Sequence, residues 1–164
     1  VIANASPLIA LAKIDRFSLL KQLFEEIWIP DAVWEEVVVQ GMGKPAADLT
    51  LAAKQELWLQ RHSTVDKLAV EVLQATLGAG EAEAIVLAQE VSAKWILLDD
   101  DLARTQAERL GLRVKGSVGI LLAGYRAHHI DDLRADMNML RAQGFWLSDQ
   151  LYRIVLEKAG YTLS

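Results

Sequence analysis

The sequence predicts an α/β fold built around a parallel sheet, and three observations carry that prediction. Short apolar runs of strand length recur at Val1–Asn4, Ile27–Ile29, Trp95–Leu98 and Leu112–Val114. Between them lie stretches whose apolar residues repeat at helical spacing. Short strands alternating with helices of about 10 to 15 residues are the pattern of βαβ units. The third observation is how one run ends: Trp95-Ile96-Leu97-Leu98 breaks off into Asp99-Asp100-Asp101. In open α/β sheets ligands sit beyond the carboxyl ends of the strands, so this strand delivers three acids to where chemistry is usually done.

Taken in order, Val1-Ile2-Ala3-Asn4 reads as the first strand. Ser6-Pro7 then reads as a helix start, with Ser as N-cap and Pro at the first helical position. Leu8, Ile9, Leu11, Ala12 and Ile14 give that helix its apolar face, and a short helix follows over Ser18–Phe24. Ile27-Trp28-Ile29 is the second strand, and Pro30 opens a helix to about Val39, with Val33, Trp34 and Val37 on one side. Residues 40–50, with two glycines and a proline, read as a loop. Helical spacing returns over 65–76, Gly78-Ala79-Gly80 interrupts it, and Glu81–Val91 continues as the next helix. After the acidic strand come a helix over 101–110, a short strand near 112–114, and a helix over Val118–Arg126. Helices over 131–143 and after Ser148 finish the chain. No repeat and no low-complexity segment is visible. Residues 1–164 are expected to form one domain, with the helices from about 131 to 164 as an appended element.

Composition narrows the function classes. The chain has 164 residues, 52% hydrophobic and 24% charged, which is a globular rather than a disordered composition. No apolar run approaches the roughly 20 residues of a membrane helix. With no cysteine, disulfides, thiolate zinc sites and cysteine nucleophiles are excluded. That absence, together with a start unlike a signal peptide, leads to the expectation of a cytoplasmic protein. Since the chain opens at Val1 without Met, further residues are expected before it. His62, His128 and His129 are too few and too scattered for a zinc site. The five tryptophans suit core positions, with dimer anchoring as a second role. A net charge of −5 argues against non-specific coating of duplex DNA. It leaves room for an enzyme acting on nucleic acid, with Arg104, Arg109, Arg113 and Lys115 either as a local phosphate patch or as ordinary solvated charges.

The strand–helix junctions collect the candidate chemistry. Asn4 ends the first strand, Glu35 and Glu36 lie early in the helix after the second, Glu81 and Glu83 open the helix before the acidic strand, and Asp99, Asp100 and Asp101 end that strand. Clustered carboxylates repel unless a cation neutralises them, and a hard oxygen-seeking ion such as Mg²⁺ suits them. The matching reaction is metal-assisted phosphodiester hydrolysis. Each acid also has a plain role: Glu81 and Glu83 suit a helix N-terminus, Glu35 and Glu36 a solvated face, and Asp101 a helix cap. Glu81 and Glu83 lie about 200° apart around a helix, so only one is expected to face the site.

Four segments, in order, resemble the motifs of PIN domains: Asn4-Ala5-Ser6-Pro7-Leu8-Ile9, Pro30-Asp31-Ala32-Val33-Trp34-Glu35-Glu36-Val37, Gly78-Ala79-Gly80-Glu81-Ala82-Glu83-Ala84-Ile85 and Leu97-Leu98-Asp99-Asp100. The resemblance extends through Gly144-Phe145-Trp146-Leu147-Ser148 and the last helix. It is nearest a prokaryotic branch long catalogued as a domain of unknown function and related to VapC-like toxin nucleases. It implies a Rossmann-like α/β/α three-layer fold and a Mg²⁺- or Mn²⁺-dependent endoribonuclease. It places the family's acids on Asn4, Glu36, Glu83 and Asp100, with Asp99 beside them as a further metal ligand. Ser6, Glu81 and Asp101 are secondary candidates. It also implies an RNA substrate, a small antitoxin partner and a homodimer.

Asn4 departs from the family pattern, which has Asp there. The amide keeps a carbonyl oxygen and loses one negative charge. Glu83 stands where the family has the shorter Asp. The alternative is therefore a catalytically degenerate PIN-like module that binds RNA or a protein partner. A receiver-like phosphoacceptor is a third reading, but its acidic pair should come from the first strand.

Overall fold

The computed structural model describes residues 1–163. Five parallel strands, β1 (Ile2–Ala3), β2 (Ile27–Pro30), β3 (Leu59–His62), β4 (Ile96–Leu97) and β5 (Val114–Lys115), form one sheet in the order β3-β2-β1-β4-β5. β1 lies at the centre, with Ile2 in register with Trp28 on one side and Ile96 on the other. The chain leaves β1 for β2 and later returns to place β4 on the opposite side. The crevice at the ends of β1 and β4 is thus the topological switch point where such sheets hold ligands.

Strand alternation sorts the side chains into two layers. Ala3, Leu97, Ile27 and Ile29 point to one face. There they meet α1 (Ala5–Lys13), α2 (Ser18–Leu23), α8 (Ser117–Arg126) and α9 (Leu133–Ala142) through Leu8, Leu11, Leu20, Leu121 and Met137. Val155 and Leu156 of α10 (Asp149–Lys158) join the same cluster. Ile2, Ile96 and Leu98 point to the other face, against α6 (Ala79–Glu90) and α7 (Asp101–Arg109) through Ile85, Leu87, Ala103 and Ala107. Val70 of α5 (Lys67–Gln74) packs on α6 from outside. Residues two apart on a strand share a face, so three residues of β4 and its extension anchor both layers. This is the expected α/β/α arrangement. No helix among the described residues is long and apolar enough to cross a membrane.

The structure changes four local expectations. First, α1 begins at Ala5, and the N-cap position is Asn4 rather than Ser6. Pro7 is still accommodated, because the first helical N–H groups have no partner to lose. Second, the helix after β2 is regular only over α3 (Asp31–Trp34) and continues as a π-helical turn, Glu35–Val39, in which the Gln40 N–H reaches back to the Glu35 carbonyl at 2.8 Å. Third, the loop expected over 40–50 is shorter, because α4 (Pro45–Gln55) starts inside it with Pro45 at its first position. Fourth, β3 has no counterpart in the sequence reading. It is an edge strand on which Leu59 is buried while Gln60, Arg61 and His62 are only half-buried or exposed, so no apolar run marks it.

Candidate active site

Asn4 follows β1 directly and its backbone N–H donates to the Leu97 carbonyl of β4 at 3.0 Å. This holds it at the switch point. The residue is 3% exposed, and its side chain does not cap α1. Its Oδ1 is buried with no hydrogen-bond partner in the structure. Burying a polar oxygen unpaired costs about 1–3 kcal/mol, so such an atom invites a ligand.

Gly80 shows what Asn4 faces. A methyl group at Gly80 would stand 3.1 Å from Asn4 Oδ1, 3.4 Å from Val33 Cγ2 and 3.5 Å from a Glu36 carboxylate oxygen. An Asn4 amide oxygen and a Glu36 carboxylate oxygen therefore border the same space over the first turn of α6, kept open by the missing side chain. The π-helical turn carries Glu36, and such turns are frequent at functional sites. Glu36 is exposed, yet the burial its carboxyl does have, and then the charge of Glu81, push its pKa above the ordinary carboxylate value.

The other acids are partly committed to the fold. Glu81 accepts from the backbone N–H of Gly78 at 2.8 Å, the return bond of a helix N-terminus. Glu83 reaches across to α3 and accepts from the Ala32 N–H at 2.8 Å. Asp99 accepts from both the N–H and the hydroxyl of Ser117, at 2.7 and 2.6 Å. Its burial pushes its pKa up, against the opposing pull of Ser117 and of the Arg104 charge. Asp100, not Asp101, caps α7, accepting from the Ala103 N–H at 2.9 Å. Each of Glu81, Glu83 and Asp100 spends one carboxylate oxygen this way; Asp101 is exposed.

The candidates thus fall into two neighbouring groups, with Glu83 in neither and bonded to α3. Asn4 and Glu36 border the space over Gly80. Ser6, Glu81, Asp99, Asp100 and Asp101 line the mouth of a groove of about 1320 Å³. Glu81 links the groups through its charge on Glu36. Among the described residues, no set of three or more His, Asp or Glu side chains is close enough to hold a metal ion. Of the four expected basic residues, Arg104 and Lys115 line the groove, Arg113 and Lys115 lie over the Trp95 ring, and Arg109 is not part of the lining.

Two contributors escaped the sequence reading. Ser117 secures Asp99, and Gly116 makes that possible, because a side chain there would meet Arg104 Nη1 at 2.6 Å and Asp99 Oδ1 at 3.0 Å. Gly80 and Gly116 both lie at helix starts, where a glycine reads as punctuation; their closeness to Asn4 and Asp99 is visible only in three dimensions.

No curated protein and no solved structure matches the chain. A family model described as a PIN domain matches residues 1–161. With the parallel sheet, the switch-point position of Asn4 and the acids around it already in place, that match has a single reading: the chain belongs to the PIN-domain family.

Proposed function

We propose that this protein is a divalent-metal-dependent endoribonuclease and the toxin half of a toxin–antitoxin pair. Membership of the PIN family points to a nuclease. The observation that carries the metal-dependent reading is the buried, unpartnered Asn4 Oδ1 beside the Glu36 carboxylate. An amide oxygen and a carboxylate are the hard donors that Mg²⁺ or Mn²⁺ selects. A cation there would also relieve the repulsion between Glu36 and Glu81. Asn4 and Glu36 would hold the ion with water in its other positions, and Asp100 and Glu83, which among the described residues do not stand with Glu36 as a three-acid cluster, would act on that water through their uncommitted oxygens. When bound, the ion lowers the pKa of an attacking water and stabilises charge on the leaving oxygen.

The chain's own residues do the positioning. Glu83 fixes the start of α3 and so the approach of the π-helical turn that carries Glu36. Asp99 and Ser117 lock the end of β4 to α8, which sets the direction of Asp100. Arg104, whose Nη1 donates to the Leu98 carbonyl at 3.0 Å, stands at the groove mouth as a counter-charge for phosphate.

Exposed apolar side chains support a protein partner, be it the antitoxin or a second copy in a homodimer: Val65 just before α5, and Leu68 and Val72 on it, are 85%, 71% and 65% exposed.

The second reading, a degenerate module that binds RNA or a protein without cutting, is favoured by Asn4 itself and by the lack of a ready three-acid cluster among the described residues. Cleavage of mixed RNAs with Mn²⁺, Mg²⁺ or EDTA separates the two. The nuclease reading expects metal-dependent cutting that falls at least tenfold in Glu36→Gln. The degenerate reading expects no cutting by the wild type and a gain in Asn4→Asp.

A further inference from the structure

Glu36 hangs from the part of its helix that leaves α-helical geometry. The π-helical turn Glu35–Val39 is closed by the Gln40 N–H on the Glu35 carbonyl at 2.8 Å. A π turn holds one residue more than an α turn, and it is rare. Its inward side is fixed by the core: Val37 and Val38 are 1% and 8% exposed and share a cluster with Val33. On a straight α-helix Val38 would stand about 140° around the axis from Val33. In the wider turn each residue advances less, so Val38 comes back towards the core.

The outer end of the turn rests on Gly41, which is buried. A Cβ there would overlap the Val37 carbonyl oxygen, and it would stand 3.0 Å from the Val37 carbonyl carbon and 3.4 Å from the Glu36 carbonyl oxygen. These are backbone atoms, so no change of rotamer makes room. At Gly80 the crowding neighbours are side chains. Gly41 is not among the glycines with positive φ, so the position demands space and not a left-handed backbone. The chain is also held beyond it. The Lys44 N–H donates to the Gly41 carbonyl at 2.9 Å, and Ala46 and Ala47 at the start of α4 are buried. The close approach is thus pinned by Val37 and Val38 on one side and by α4 on the other.

Resting on the reading of Glu36 as a metal ligand, we propose that Gly41 is a positioning residue. It lets the chain close against the π turn, and the turn sets the Glu36 carboxylate at the edge of the space over Gly80. A side chain at 41 displaces the Glu36 and Val37 peptides, and the carboxylate moves with them. Groups in a functional site must be held to within about 0.5 Å, so a displacement of that size matters. Gly43 offers the comparison two residues on. Its φ is +85° and a Cβ there meets nothing within 4 Å, so alanine strains its own backbone without pressing on the turn.

The test uses the full chain without RNA and reads two quantities. Electron paramagnetic resonance of free Mn²⁺ gives the metal affinity, and hydrogen exchange of the Gln40 amide reports the π bond. Changing a residue that orients a metal ligand costs about 10- to 100-fold in affinity, and Gly41→Ala should weaken Mn²⁺ binding by that factor. It should also speed Gln40 exchange by about tenfold or more, with the Ile2 and Ile96 amides of the central strands unmoved. Gly43→Ala should melt a few degrees below wild type with both readings unchanged. Gln40→Pro removes the π bond without adding bulk at Gly41, and its ring suits the Gln40 φ of −73°. It should lower Mn²⁺ affinity to the same degree, and it decides the matter if Gly41→Ala does not fold. Wild-type Mn²⁺ affinity in Gly41→Ala or in Gln40→Pro overturns the proposal, as does an equal loss in Gly43→Ala. Faster Gln40 exchange in Gly41→Ala, in a protein whose wild type binds no Mn²⁺, retains Gly41 as the hold on the turn and loses the metal-dependent reading.

Discussion

Asp99 accepts two hydrogen bonds from Ser117, one from its backbone N–H at 2.7 Å and one from its hydroxyl at 2.6 Å. The pair joins the end of β4 to the first turn of α8 across the mouth of the groove. Ser117→Ala keeps the backbone bond and strands the second carboxylate oxygen. Urea unfolding should show a loss of about 1–3 kcal/mol, and RNA cleavage should fall with it, because Asp100 is the next residue. Wild-type stability would mean that water replaces the hydroxyl at no cost.

Gly80→Ala places a methyl group against Asn4 Oδ1 and the Glu36 carboxylate, at 3.1 and 3.5 Å. Alanine is the better helix former by up to about 1 kcal/mol, which offsets the crowding. The variant should melt within a few degrees of wild type, while metal-dependent cleavage drops at least tenfold. This separation of stability from activity distinguishes the space over Gly80 as a site from the same space as mere packing.

Asp136 is 2% exposed and receives a two-point bond from Arg16, at 2.8 and 3.1 Å, which ties α9 to the segment between α1 and α2. Arg16 is more open, so the two partners are not equivalent. Arg16→Met leaves a buried unpaired carboxylate and should cost about 3 kcal/mol or more. Asp136→Asn leaves only a guanidinium that water can reach, and should cost less. Chemical unfolding of both variants measures the difference; equal losses would contradict the asymmetry.

The sequence made the strand–helix junctions legible because each combines an apolar run with a helix start. They put forward Asn4, Glu35 and Glu36, Glu81 and Glu83, and Asp99 to Asp101 as candidates, and the resemblance to PIN domains singled out Asn4, Glu36, Glu83 and Asp100 among them. The sequence could not say which of their oxygens are free. Glu83 is spent partly on Ala32, 51 residues away, and Asp99 on Ser117, 18 residues away. No local pattern encodes such partners. The cap of α7 was misplaced by one residue, on Asp101 instead of Asp100, because three successive acids offer the same side chain at every register. The edge strand β3 was invisible for a different reason: only Leu59 among its four residues is buried, and a strand paired on one side needs little apolar surface. The start of α4 was hidden by Gly41, Gly43 and Pro45, where the proline opens a helix instead of breaking one.

Asp31 carries a pH signature. The Ser63 hydroxyl and then the Arg61 guanidinium hold its carboxyl below the ordinary carboxylate value. A group whose pKa is depressed by folding stabilises above its unfolded pKa, and that contribution disappears as pH falls through the folded value. The pair is partly exposed and screened by solvent, so its worth is about 0.5–1 kcal/mol. Asp31→Asn should therefore be less stable than wild type at pH 7, and the gap should close as pH falls through the folded pKa, below the ordinary carboxylate value. A difference that persists at low pH would mean that the charge is not its source.

The most direct measurement of the central claim is cleavage of single-stranded and structured RNAs by wild type and Asp100→Asn, each with Mn²⁺ and with EDTA. Asparagine caps a helix as well as aspartate does, so the variant keeps α7 and changes only the charge. The account predicts cutting by the wild type that requires the metal and falls at least tenfold in Asp100→Asn. Cutting that survives EDTA, or that proceeds at the wild-type rate in Asp100→Asn, would contradict it.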